Sequence, residues 1–184
     1  MIELAFEVPI PDLRTFAEHS DYELALAHLI VQNEEYRNFF IEQREKGKLV
    51  VLDNSAWEMG DAINVDLVIQ AAKILQPQAV VAPDYFDGIR TVKETKEFVE
   101  RAKRELPVPL NMNIWGVVRG KSFKEGMWVF ENIRTIPEIS RICVPFSGMF
   151  KVPGEVKLDS PTQMLMQRRI LLVRILKSIQ LEEF

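Results

Sequence analysis

Residues 79–91 read AVVAPDYFDGIRT. A short, continuously apolar run stops at Pro83, and polar and turn-forming residues then lead into a segment of helical period. An apolar run without alternation marks a strand whose two faces are both covered, as in a parallel sheet packed under helices. Similar runs recur at Ile2–Val8, Leu49–Asp53 (LVVLD), Asn113–Val118 (NIWGVV) and Arg141–Pro145 (RICVP). Between and after them lie helical patterns at Asp21–Lys46, broken around Gln32–Asn33, and at Val65–Leu75, Val92–Glu105, Phe123–Ile133 and Pro161–Ile179. Strands alternating with helices predict an α/β fold of parallel β/α repeats, with about five strands and five or six helices.

Four helix starts carry a Ser or Thr followed three residues later by Glu or Gln: Ser20/Glu23, Thr91/Glu94, Ser122/Glu125 and Ser160/Gln163. In such a capping box the hydroxyl accepts from the third helical N–H and the longer side chain reaches back to the cap. Pro161 strengthens the last of these, since its missing N–H costs nothing at the first helical position.

The chain has 184 residues, enough for one domain, and neither a repeat nor a flexible linker divides it. A complete eight-fold β/α barrel takes about 250 residues. The expectation is therefore a single domain over 1–184 that is TIM-barrel-like but incomplete, or an open five-stranded sheet. With 47% hydrophobic and 27% charged residues the composition is that of a globular protein rather than a disordered or fibrous one. A net charge of −4 supplies no global attraction for nucleic acid or anionic membrane. Cys143 alone makes neither an internal disulfide nor a cysteine-rich zinc site. With Glu3 and Glu7 inside the first apolar stretch and no long apolar run anywhere, the sequence predicts a cytoplasmic protein without a membrane span.

In parallel β/α folds the functional groups sit where the strands end, because those loops share one mouth. The second strand ends in LDNSAWEMG, placing Asp53 and Asn54 at its exit and Trp57 and Glu58 beyond; the third places Asp84 there, with Tyr85, Phe86 and Asp87 following. The fourth ends in WGVVRGKS with Arg119 and Gly120, and the fifth in ICVPFSGMF with Phe146 and Ser147. Two carboxylates, a guanidinium and an aromatic ring can thus converge. Each also has a plainer reading. An Asp after a strand serves equally as a turn former or helix cap, Asp87-Gly88 is a turn dipeptide, and Arg119 before a glycine can be solvated. Asp53, Asp84 and Asp87 are hard ligands of the type Mg²⁺ takes, though without a diagnostic spacing.

His28 shares a helical face with Leu24 and Val31, the position of a structural histidine, and Cys143 lies inside an apolar strand. No nucleophilic triad pattern or glycine-rich phosphate loop occurs. In the last helix Arg169, Arg174 and Lys177 lie opposite the apolar stripe. Arg168 projects into that stripe, where it either snorkels or meets an anion such as a phosphate.

The strand-end series LDNSAWE, VVAPDYFDGIRT, WGVVRGKS and ICVPFS resembles the tRNA-guanine transglycosylase superfamily, in particular its shorter phage and DNA-associated members. DYELALAHLIVQNEEYRNFF, ahead of the first Asp motif, resembles the same branch, and the likeness runs roughly from Asp21 to Arg174. It implies a TIM-barrel enzyme, without redox cofactor, that exchanges guanine for a 7-deazaguanine base in DNA or tRNA. The Asp of the family motif D-[NS]-[GS]-[AG]-[FW]-[EQ] acts near the glycosidic bond, and its match is Asp53, with Asn54 beside it. The match of the family's base-reading Asp is Asp84, and Trp57, Tyr85 or Phe86 can stack on a base. The family's G-[IV]-V-Q-G is here Gly116-Val117-Val118-Arg119-Gly120, so a residue with donors only replaces a donor and acceptor. No position matches the family's late-strand nucleophilic Asp, nor its Cys/His zinc motif. The expected partners are a guanine or 7-deazaguanine base, DNA or tRNA, and a second polypeptide or further copy that completes the barrel; a non-catalytic binding or assembly module, or an unrelated β/α enzyme for a small sugar or phosphorylated substrate, are the other readings.

Overall fold

The computed structural model describes residues 3–56, 58–59, 64–106 and 112–145, together with 170, 173–175 and 177. Its strands are β1 (Glu23–Leu26), β2 (Val50–Asp53), β3 (Ala79–Val81), β4 (Asn113–Val117) and β5 (Ile139–Cys143). All neighbours pair in parallel, in the order β1-β2-β3-β4-β5. The helices are α1 (Leu13–Ala17), α2 (Ala27–Gln32), α3 (Glu34–Glu45), α4 (Val65–Leu75), α5 (Gly88–Glu105) and α6 (Phe123–Ile133). When spatial order follows chain order and every crossover has the same hand, all connecting helices fall on one face. The expected α/β fold of parallel β/α units is the fold observed.

Burial follows from the two-residue period of the strands. Val50, Leu52, Val80 and Ile114 join Ile30, Phe40, Val68, Leu75 and Phe98 in the main core under the helices. Val51, Ala79, Val81, Trp115 and Val117 form a second cluster with Tyr22, Leu24 and Cys143, to which no helix contributes among the described residues. That face is concave: the rings of Tyr22, before β1, and Trp115, on β4, stand 6.3 Å apart. At the foot of the sheet Lys48 Nζ meets the buried Glu23 carboxylate at 2.9 Å and hydrogen-bonds to Ser20 Oγ and the Ala17 carbonyl.

Four expectations are corrected. Residues 3–8 form no strand. Leu4 is tied to the start of β1 instead, its N–H donating to Asp21 Oδ2 and its carbonyl accepting from the Asp21 N–H. The first strand lies instead within the stretch expected to be helical, and Ser20 does not cap a helix: its hydroxyl donates to Glu23 Oε1 at 2.7 Å. Thr91 lies inside α5, whose N-cap is Asp87, accepting from the Arg90 N–H. The Ser122 cap, the boundaries of α4 and α6 and the break at Asn33, which caps α3, agree with the sequence reading. Residues 170, 173–175 and 177 are helical; the rest of the last predicted helix, including Ser160, Pro161 and Arg168, lies outside the described residues. No helix among the described residues is long and apolar enough to cross a membrane.

Candidate functional site

At the C-terminal end of β2 the chain turns sharply. Ser55 adopts a left-handed backbone (φ 58°), and two Asx-type bonds hold the turn. The Ser55 N–H donates to Asp53 Oδ2 at 2.7 Å and the Ala56 N–H to Asn54 Oδ1 at 2.9 Å. The turn directs the Asn54 amide across to β3, where Nδ2 donates to the Ala82 carbonyl and to Asp84 Oδ1, both at 2.8 Å. From the β4 exit Arg119 Nη1 reaches Asp84 Oδ2 at 2.7 Å. Asp84 and Arg119 are 4% and 6% exposed, so this is a buried ion pair and not a solvated arginine.

These groups border an open cavity of about 570 Å³ on the concave face. Asp53, Asn54, Asp84 and Arg119 form its polar end; Tyr22, Trp115, Val117 and Cys143 supply ring and apolar wall. Burial, followed by the charges of Glu58, Asp84 and Glu7, pushes the Asp53 carboxyl up to about 7. Burial also raises Asp84, opposed by Arg119 and by the Asn54 bond. Glu7 is raised by burial and by the charge of Glu58, to which its carboxyl hydrogen-bonds. The Cys143 thiol is pushed up to about 12 by burial and by the two aspartates, so it stays protonated and unreactive.

The structure brings together Asp53, Asn54, Asp84 and Arg119. Tyr85 does not join them: its ring lies under the Arg90 guanidinium, 3.7 Å away, beside a separate groove lined by Asn64, Arg90 and Arg101. Gly120 is no wall residue of the cavity; a Cβ there would sit 3.0 Å from both Glu125 Cγ and the Gly126 nitrogen. Phe86 packs its ring under the Arg119 guanidinium at 4.2 Å. Trp57, Phe146, Ser147 and Arg168 lie outside the described residues. Asp87 takes its turn-and-cap role.

Trp115 and Tyr22 are site residues that the sequence reading missed. For Trp115 the signal was present: positions 115, 117 and 119 share one side of β4 and its extension, so the tryptophan points where Arg119 does. His28, half-buried after β1, keeps its Nδ1 buried without a hydrogen-bond partner among the described residues. Also among the described residues, no group of three or more His, Cys, Asp or Glu side chains stands close enough to hold a metal ion.

No protein-family model matches the chain, and no curated protein matches it significantly.

Proposed function

We propose that the concave cavity takes a guanine-type base, and that the chain is a transglycosylase-like protein of 7-deazaguanine nucleic-acid modification, exchanging guanine for a 7-deazaguanine in DNA or tRNA. The observation carrying this reading is the buried Asn54–Asp84–Arg119 set, placed with Asp53 at the end of an aromatic-walled cavity. Its volume of about 570 Å³ lies within the range of small-molecule sites.

Asp84 fits a base reader. An ionised carboxylate has about four acceptor sites, and Asn54 and Arg119 each occupy one. Those remaining match the N1–H and exocyclic N–H₂ of a guanine edge, donors that adenine does not present together. Trp115 and Tyr22 supply aromatic faces on which a flat base can stack, an interaction worth about 1–3 kcal/mol. Asp53 is the catalytic carboxylate: near neutrality it can hold the proton that a departing purine needs and take one from the entering base.

One observation favours a second reading, binding without turnover or catalysis completed by another polypeptide. Base exchange by double displacement needs one carboxylate as nucleophile and another group as acid and base. Of the two carboxylates bordering the cavity among the described residues, Asp84 is engaged by Arg119, which leaves Asp53 for both tasks. The test is incubation with guanine-containing DNA, and separately tRNA, in the presence of a labelled 7-deazaguanine. Incorporation that disappears in Asp53→Ala supports the enzyme; base binding without incorporation supports the second reading; neither binding nor incorporation overturns both.

A further inference from the structure

Two neighbouring loops carry the base-reading pair, Asp84 between β3 and α5 and Arg119 between β4 and α6. A buried ion pair is useful only when its geometry is held, since each ion has given up water. Beyond the pair itself, three contacts fasten these loops together. Phe86 lies under the Arg119 guanidinium, Lys121 Nζ meets Asp87 Oδ2 at 2.8 Å, and Glu125 joins both loops through backbone amides. Glu125 Oε1 accepts from the Gly88 N–H and Oε2 from the Lys121 N–H, each at 2.7 Å. Its own N–H donates to the Ser122 cap at 3.1 Å, a backbone bond in which the carboxylate takes no part.

Both glycines of this region are fitted to that carboxylate arm. A Cβ on Gly88 would stand 2.6 Å from Val129 Cγ2, 2.8 Å from Glu125 Cγ and 2.9 Å from Oε1; one on Gly120 would stand 3.0 Å from both Glu125 Cγ and the Gly126 nitrogen. The Gly88 and Lys121 amides are also the first backbone donors beyond Asp87 and Gly120, so the carboxylate takes up polar groups at the point where each loop would otherwise separate from its neighbour. The Lys121–Asp87 pair is exposed and contributes little. Two charge-assisted bonds to backbone from a half-buried carboxylate contribute more.

We infer that Glu125 is a positioning residue: its carboxylate clamps the β3–α5 loop to the β4–α6 loop and so sets the Asp84–Arg119 geometry at the cavity. The clamp stands on geometry; its effect on base binding rests on the reading under Proposed function.

The test compares Glu125→Gln, which keeps the volume but has a single acceptor oxygen, with Ser122→Ala, which weakens the start of the same helix and leaves the carboxylate in place. Amide exchange at Gly88 and Lys121, the Arg119 side-chain resonances, the melting temperature and guanine affinity are measured in both. Glu125→Gln is expected to speed exchange at one of the two amides, shift the Arg119 resonances and weaken guanine binding by about tenfold. Ser122→Ala is expected to lower the melting temperature while Arg119 and guanine affinity stay within about twofold of the native protein. Arg119 resonances unchanged in Glu125→Gln, or moved as far by Ser122→Ala, overturn the clamp. If the native protein binds no guanine, the reading of function fails and the exchange and Arg119 data still decide the clamp.

Discussion

Asp53 is held in a state its own folding energy opposes. Its carboxyl is raised to about 7, first by burial and then by the charges of Glu58, Asp84 and Glu7, against the bond from the Ser55 N–H. In the unfolded chain an aspartate titrates near its ordinary value of about 3.9. Between those values the folded protein holds a proton that the unfolded chain has lost, so stability falls as pH rises through this window and levels off above about 7. Asp53→Asn removes the effect. From pH 5 to pH 8 the native protein should lose about 1–2 kcal/mol relative to the variant, allowing for solvent screening at a partly exposed group, as read from urea midpoints. Parallel pH profiles would show that Asp53 titrates normally. At this scale the polar end of the site was legible, because Asp53, Asn54, Asp84 and Arg119 follow directly on apolar runs and a parallel fold turns such exits to one mouth. Tyr85 was not, because one residue beyond Asp84 the side chain points to the opposite side, where Arg90 covers it.

The elements show where local pattern competes with tertiary context. α4 and α6 were legible to the residue: each is capped by an Asn or Ser side chain and has a strongly one-sided apolar face. β1 was hidden because α2 begins at Ala27 immediately after it, with no capping side chain between, so ELAL merges into the helical period that follows. Its burial includes Glu23, which reads as a surface residue until Lys48 is brought to it from beside β2. Thr91 imitates a cap but spends its hydroxyl on the Tyr85 and Asp87 carbonyls, bracing the β3–α5 loop from behind. β4 packs on α6 so closely that Gly116 has no room for a side chain: a Cβ there would collide with Ile133 and stand 3.2 Å from Ile139. Gly116→Ala should cost about 1–3 kcal/mol, seen as a lower melting temperature, and Ile133→Ala, which removes the colliding Cγ2, should cost less in the Gly116→Ala chain than in the native one. A melting temperature unaffected by Gly116→Ala would mean that β4 and α6 separate more easily than this packing implies.

At the scale of the whole molecule, five parallel strands in sequential order put the helices on one face and leave the other curled round a cavity. That arrangement decides the chemistry more than any single motif does, since it turns three strand exits into one polar end and makes inward-facing Trp115 and the Tyr22 ring a wall. The sequence showed the parallel sheet through its unalternating apolar runs. The curvature was not legible, because it depends on contacts such as Tyr22 with Trp115 that join positions far apart in the chain. Calorimetric titration of guanine, 7-deazaguanine and adenine into the native protein and Asp84→Asn tests directly whether, as proposed, the cavity reads a guanine edge through Asp84. Guanine and 7-deazaguanine should bind at least about tenfold more tightly than adenine, with the preference lost in Asp84→Asn, since a misplaced buried partner costs about 1–3 kcal/mol. Equal affinity for the three bases, or a guanine preference that survives Asp84→Asn, would contradict it.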